Sequence, residues 1–334
     1  MTYIRKRPGW QIPESEAASE GVFGARRRFL EALGLAGAGL LAGSCAGAAD
    51  KSAPAGAPPV PGSKGQGAVL AAMQALPGRY PAARNARFTL DRPITPEETA
   101  ARYNNFYEFG NDKDALVTQA QELTLRPWTV RVDGLVEKPG VWDVDTIVRT
   151  MPVEERLYRH RCVERWSMAV PWTGVPFKAF VERLRPLSSA KFVKFVSFLR
   201  PEEAIGQRRD TWYPWPYYEG LSIPEAINEL TLLTTGVYGH PLPPQHGAPI
   251  RIVTPWKYGY KSIKSIVKIE FTATQPGTFW NDLQPLEYGF ESNVDPTKPH
   301  PRWSQAREQM LGTDVMRPTL PYNGYGEWVA GLYA

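Results

Sequence analysis

Tyr158-Arg159-His160-Arg161-Cys162-Val163-Glu164-Arg165-Trp166-Ser167 is the stretch whose reading decides the fold. The chain has two cysteines, and Cys45 falls inside an N-terminal segment built like a removable export signal. A lone thiol in an exported protein has no intramolecular disulfide partner, so Cys162 needs another explanation. Its neighbours include three arginines, a histidine and a glutamate, a poor setting for the apolar core that hides an inert cysteine. Nearby positive charge favours the thiolate, the form that ligates metals and attacks electrophiles. Two readings follow: a small hydrophobe on a strand whose charged neighbours point elsewhere, or a metal or cofactor ligand.

Upstream, Arg26-Arg27-Arg28-Phe29-Leu30 precedes Leu33, Leu35, Leu40 and Leu41, set among Ala and Gly, and the run ends on Ala46-Gly47-Ala48. A basic start, a short apolar middle and a small-residue end have the layout of a secretory signal over residues 1–48. The run is too short, and too rich in Gly and Ala, for a permanent membrane span. Paired arginines before Phe-Leu match the twin-arginine type, which exports folded proteins and suits a chain loaded with a cofactor beforehand. An ordinary secretory signal is the alternative, since Ala25 and Glu31 depart from the usual Ser and Lys. Leu41 sits one residue too far from Cys45 for a lipoprotein cleavage site. The expectation is a periplasmic protein, soluble once the signal is removed.

Residues 49–66, with Pro58-Pro59 and Pro61-Gly62, read as a flexible lead-in, and 67–334 as one large domain. Residues 1–48 hold six Lys/Arg and four Asp/Glu, so about +3 of the formal +5 stays with the remainder, too little to argue for nucleic acid. Aromatic residues at 12% and 32 prolines point to a β-rich, loop-rich protein.

Along the domain, a helix is expected over Ala68–Leu76 and another from Pro96 with Thr95 as its cap. Tyr103–Gly110 mixes amides and a carboxylate with aromatics; it reads equally as a ligand-binding rim or a loop whose asparagines bond their own backbone. Trp128–Val132 reads as a strand, Val144–Thr150 as a helix and Arg156–Cys162 as a strand that leaves the thiol at its end. Pro171–Pro176 reads as a turn, and Phe177, Phe180, Val181 and Leu184 as one face of a helix. Phe192–Leu199 is an apolar strand, and Trp212–Tyr218 is a proline-broken aromatic loop suited to bordering a cleft. A helix over Pro224–Leu230 and strands at Ile250–Val253 and Val267–Phe271 complete the pattern. His246, in a Pro/Gly loop, reads as a surface residue, whereas Arg251 interrupts an apolar strand and needs an anionic partner if buried. Pro255–Ser265 interleaves three lysines with three aromatics, which suits an anion such as a phosphate. From Thr278 onward no chemistry stands out, and no Walker loop, dinucleotide fingerprint, CxxC, HExxH or GxSxG is present.

Taken together, Tyr103–Gly110, Cys162–Ser167, Trp215–Gly220, Leu230–Gly239, Pro243–Arg251 and Pro255–Val267 resemble the catalytic subunits of periplasmic protein-methionine-sulfoxide reductases. That family is one of molybdopterin enzymes in the sulfite-oxidase superfamily, and the resemblance runs to about residue 295. It implies an α+β, mainly β fold of sulfite-oxidase type in a single large domain. It also implies one molybdenum–molybdopterin per chain, with Cys162 as the protein ligand to the metal. Asn104, Tyr107, Glu108, Ser197, His246, Arg251, Ser262, Ile263 and Lys264 are the implied contacts to the pterin or its phosphate. His246 stands where the family usually has asparagine and Ser197 where it has threonine; the serine keeps a hydroxyl, but one imidazole nitrogen cannot both donate and accept as an amide does. The implied activity is oxygen-atom transfer from methionine sulfoxide in oxidised periplasmic proteins to reduced molybdenum, with electrons from a haem-bearing, quinol-linked membrane subunit. Arg161 and Arg165 are candidates for electrostatic support. A sulfite oxidase or a small-molecule sulfoxide or N-oxide reductase shares the fold, so these remain rivals, beside a cofactor-free thiol enzyme and an anion-binding module.

Overall fold

Short strands rich in Val, Ile and Phe alternate with short helices and turns over residues 64–334, the part of the chain that the computed structural model describes. The expected signal, Cys45 and most of the lead-in lie outside the described residues. A helix spans Lys64–Ala75, so regular structure begins a few residues ahead of the expected Ala68. The described residues form one compact unit.

Twelve strands occur among the described residues: β1 (Thr129–Gly134), β2 (Gly140–Asp143), β3 (Glu154–Arg161), β4 (Trp166–Pro176), β5 (Phe192–Ser197) and β6 (Tyr218–Ser222), then β7 (Leu232–Val237), β8 (His240–Pro241), β9 (Arg251–Val253), β10 (Ile266–Thr272), β11 (Arg307–Met310) and β12 (Met316–Pro318). One sheet has the order β2-β1-β10-β5-β6, antiparallel except for β1 beside β10. The other runs β12-β11-β4-β7-β8, with β3 paired along β4 and β9 along β7. In β1 strict alternation buries Val130 and Val132 and exposes Thr129 and Arg131. A register shift near Ile266 resets the alternation of β10, so Ile266, Ile269 and Phe271 are buried and Val267 is only half-buried.

The expected turn at Pro171–Pro176 is instead the second half of β4. Pairing with β3 on one edge and β7 on the other buries almost every residue of that strand. Pro171 has no N–H to give, but its carbonyl accepts from Tyr238 N at 3.0 Å. Gly174 is needed for the close approach of β7, because a Cβ there would meet Leu233 O at 2.4 Å. Thr95 does not cap the helix that spans Glu97–Arg102. Its hydroxyl accepts from Ala169 N at 3.0 Å and ties this segment to β4 instead. The helix Phe177–Leu184 buries Phe177, Phe180, Val181 and Leu184, as the spacing predicts. The next expected helix shrinks to Ile223–Ala226, opened by a capping box between Ser222 and Glu225.

The basic stretch 255–265 divides in two. Lys257 is buried against Glu225 and also reaches Glu291 O at 2.8 Å, Asn293 Oδ1 at 3.0 Å and the Tyr333 hydroxyl at 3.0 Å. Lys261 is buried against Glu219 at 2.6 Å. Both lysines are neutralised inside the protein, which leaves Lys264 for an external anion.

Two predictions follow from this packing. Lys257→Met strands a buried carboxylate, so denaturant unfolding should show a loss of about 3–5 kcal/mol; a loss under about 1 kcal/mol would contradict the assignment. His240 Nε2 lies 2.5 Å from Glu97. Burial opposes the charged ring, but the Glu97 and Pro241 oxygens outweigh it and hold the group above its ordinary 6.5. A raised folded-state value means stability that is full at pH below about 6.5 and is lost as pH rises through the folded value. The deficit of Glu97→Gln relative to wild type should therefore be largest near pH 6 and close at higher pH in parallel melts; a deficit independent of pH would count against the pair.

Candidate cofactor site

At the end of β3 the chain turns through Cys162 into β4. Cys162 N donates to Trp166 O and Arg165 N to Cys162 O, both at 3.0 Å, and Arg165 adopts the left-handed region at φ 70°. Cys162 is buried, and it helps line a cavity of about 390 Å³. Its sulfur receives Glu164 N and Asn105 Nδ2, each at 3.5 Å.

Burial first, and the Glu164 carboxylate second, push the thiol up to about 12. Lys113 and Arg161 pull the other way without prevailing. The arginine-stabilised thiolate expected from the sequence is therefore not formed. Arg159 turns out to Asp91 at 3.0 Å, and Arg161 turns back to Glu308 at 3.1 Å and Gln305 Oε1 at 2.8 Å. Neither Arg161 nor Arg165 lines the cavity; Arg161 acts on the thiol from behind it, through its charge, and no such effect is seen for Arg165. A cation bound at the sulfur would convert this thiol to a thiolate.

Arg251 opens β9 and lines the same cavity. It is 2% exposed, lies 4.9 Å from the Trp172 ring centroid, and donates to His246 O and Ser262 O at 2.9 Å each. Among the described residues no carboxylate forms an ion pair with it, and burial pushes it down to about 9. Half-buried Lys264 donates to Asn105 O at 2.8 Å; desolvation pushes it down to about 7, against the pull of the Glu108 carboxylate. Desolvation likewise raises buried Glu108 to about 7.

His246 is not the surface residue its Pro/Gly loop suggests. The 3-10 turn Pro244–His246 folds inward, and the ring lies edge-on to Trp172 with both nitrogens buried and unpartnered. Gly247 follows at φ 88°, where a Cβ would lie 2.6 Å from Lys264 Cβ. Burial and Arg251 push the imidazole down to about 3, so it is neutral and offers one donor and one acceptor.

The same cavity is lined by Asn104, Tyr107, Glu108, Ser262 and Ile263. Asn104 caps the preceding helix through Ala100 O and Ala101 O, and Ser262 Oγ accepts from Thr254 N at 3.2 Å. Ile263 O accepts from Ile252 N at 3.0 Å. Ser197 is the exception among the sequence-derived residues: it lies behind the wall, where its hydroxyl donates to Lys264 O at 2.9 Å and steadies that segment. The loop expected to border a cleft does so through Trp212, Tyr213 and Tyr217.

Sequence reasoning missed Asn105, His160, Trp280, Tyr288 and Trp303, which also line the cavity. His160 sat inside the decisive stretch, and Gly259 is its counterpart, since a Cβ there would lie 2.6 Å from His160 Nε2. The last three come from a turn-rich segment whose spacing carries no signal.

This donor set fits a molybdenum–molybdopterin group. Arg251 and Lys264 can offset its anionic charge, the unpartnered His246 nitrogens can bond a heterocycle, and Cys162 can ligate a metal. Among the described residues no cluster of three His, Cys, Asp or Glu that could hold a metal ion forms.

Comparison with known proteins agrees. A family model described as oxidoreductase molybdopterin binding domain matches residues 117–280. The chain is 45% identical over 332 residues to the protein-methionine-sulfoxide reductase catalytic subunit MsrP of Burkholderia mallei, covering 97% of this chain and 94% of that protein. It is 45% identical over 334 residues to the protein of the same name in Xanthomonas axonopodis pv. citri, covering 98% and 97%. A solved structure, the sulfane dehydrogenase SoxCD from Paracoccus pantotrophus, superposes over 46% of this chain and 40% of that one, with TM-score 0.38 and 15% identity. Fold, site and family model together define a molybdopterin-binding oxidoreductase with sheets dominating a mixed architecture. Within that class the chain belongs to the family of protein-methionine-sulfoxide reductase catalytic subunits.

The unneutralised cations carry a prediction. Inorganic phosphate should raise the thermal midpoint of cofactor-free protein at low ionic strength, by the equivalent of about 1.4 kcal/mol at ten times its Kd. Arg251→Met should remove the effect; an equal rise in the variant would show that the phosphate acts elsewhere.

Proposed function

We propose that this chain reduces methionine sulfoxide in oxidised proteins, using one molybdenum–molybdopterin held at the Cys162 cavity. The observation that carries the reading is the placement of one buried thiol and one buried, carboxylate-free guanidinium around the same cavity. When bound, the cofactor would supply two-electron oxygen-acceptor chemistry. The overall change is sulfoxide plus two protons and two electrons giving thioether plus water.

The chain's own groups do the rest. Cys162 Sγ would ligate the metal, as a thiolate. Arg251 and Lys264 offset anionic charge, and neutral His246 offers a hydrogen bond without adding to it. Tyr107 faces the cavity, and desolvation with Glu164 nearby raises its hydroxyl, so it holds its proton at neutral pH and can donate it. Tyr213 and Trp280 pack edge-on at 6.1 Å with Tyr107 beside them, presenting ring surface that suits a sulfur-bearing methyl group.

The reading takes electrons from a haem-bearing, quinol-linked membrane subunit, and places the mature chain in the periplasm after twin-arginine export. The arginine pair and apolar run before Ala48 support the export route. Among the described residues no helix is long and apolar enough to cross a membrane. A thiol raised to about 12 is a poor nucleophile, which argues against a cofactor-free thiol enzyme.

The test is turnover of methionine sulfoxide, free and within an oxidised protein, by chain exported with its own signal and driven by a chemical electron donor. Wild type should reduce both, and Cys162→Ala neither. Activity of the variant within about tenfold of wild type would refute the assignment.

A further inference from the structure

The carbonyl of Val163, one residue past the thiol, is held by two side-chain donors at once. Trp303 Nε1 reaches it at 2.9 Å and Gln305 Nε2 at 2.8 Å. Both residues lie beyond the 117–280 span of the family model and in the segment that shows no chemistry in the sequence.

Their effect passes through one peptide unit. The Val163 carbonyl and the Glu164 N–H belong to the same planar, trans peptide, so they point in opposite directions. Fixing the carbonyl backward aims the N–H forward, and Glu164 N lies 3.5 Å from Cys162 Sγ. Two donors on the carbonyl also polarise the peptide and strengthen its N–H as a donor.

The clamp is itself braced. Arg161 Nη2 donates to Gln305 Oε1 at 2.8 Å, which orients the amide so that its NH2 faces Val163. Arg161 also donates to Cys162 O and is held by Glu308 at 3.1 Å, whose other oxygen takes Arg92 at 2.8 Å. The Trp303 ring is stacked on His300 with centroids 4.0 Å apart.

We propose that Gln305 and Trp303 are positioning residues that aim the Glu164 N–H at the ligating sulfur and so set the reduction potential of the metal. This rests on the reading of Cys162 as the molybdenum ligand. A hydrogen bond to a ligating thiolate draws electron density from it and favours the reduced metal; loss of the bond favours the oxidised metal.

The experiment is a redox titration of the paramagnetic Mo(V) signal in loaded wild type, Trp303→Phe and Gln305→Leu. Trp303→Phe keeps an aromatic ring against His300 and removes the Nε1 donor. Both variants should titrate at more negative potential than wild type, and the double variant further still, with molybdenum content and thermal midpoint recorded alongside. If Gln305→Leu does not fold, Trp303→Phe decides alone. Unchanged potentials in folded, molybdenum-loaded variants overturn the proposal and leave the function intact. Wild-type protein without molybdenum overturns the reading of the site, and the proposal with it.

Discussion

A guanidinium without a carboxylate partner is a costly thing to bury, and Arg251 is buried that way. The other deeply buried cations are treated differently. Arg92 and Arg161 share Glu308, Arg156 meets Glu154, Lys257 meets Glu225 and Lys261 meets Glu219. Leaving one member of a buried ion pair alone costs on the order of 3–5 kcal/mol, so the arrangement makes sense only if something anionic completes it. Cys162, His246 and Lys264 line the same cavity and are incomplete in the same sense. The thiol keeps its proton for want of a cation, and the imidazole has no hydrogen-bond partner.

The sheets serve to bring these unfinished groups together. β4, buried along both edges, fixes where the turn at Cys162 ends, and β7 carries β9 and so Arg251. Ser197 at the end of β5 anchors Lys264 by its carbonyl, and a short segment after β9 brings in Ser262 and Ile263. β3 and β4 add His160, Met168 and Trp172 to the lining, and loops supply much of the rest, which is the usual division between rigid scaffold and functional surface. The C-terminal segment backs the thiol turn through Gln305 and Glu308, so it takes part in the site although it lies outside the span matched by the family model.

Much of this was legible in the sequence where one physical rule acted alone. Helical spacing located Phe177–Leu184, and the oddity of an arginine in an apolar strand marked Arg251. The reading failed where tertiary contacts overrode local rules. Prolines at 171 and 176 suggested a turn, yet β3 and β7 draw the segment into a strand. A histidine between prolines and glycine suggested solvent, yet Gly247 lets that loop press inward against Lys264. Clustered arginines suggested a thiolate, but sequence neighbours on a strand point to opposite faces, and burial with Glu164 decides the matter. β7 had no alternation to show because it is buried on both faces. The resemblance to a known family supplied what periodicity could not: which dispersed polar residues meet.

The central claim is that this cavity is completed by a molybdenum cofactor bound through one protein sulfur. X-ray absorption at the molybdenum edge tests it most directly, comparing the exported wild type with Cys162→Ser. The account predicts stoichiometric molybdenum in wild type and one sulfur neighbour fewer in the variant. An identical sulfur shell in both proteins would contradict it.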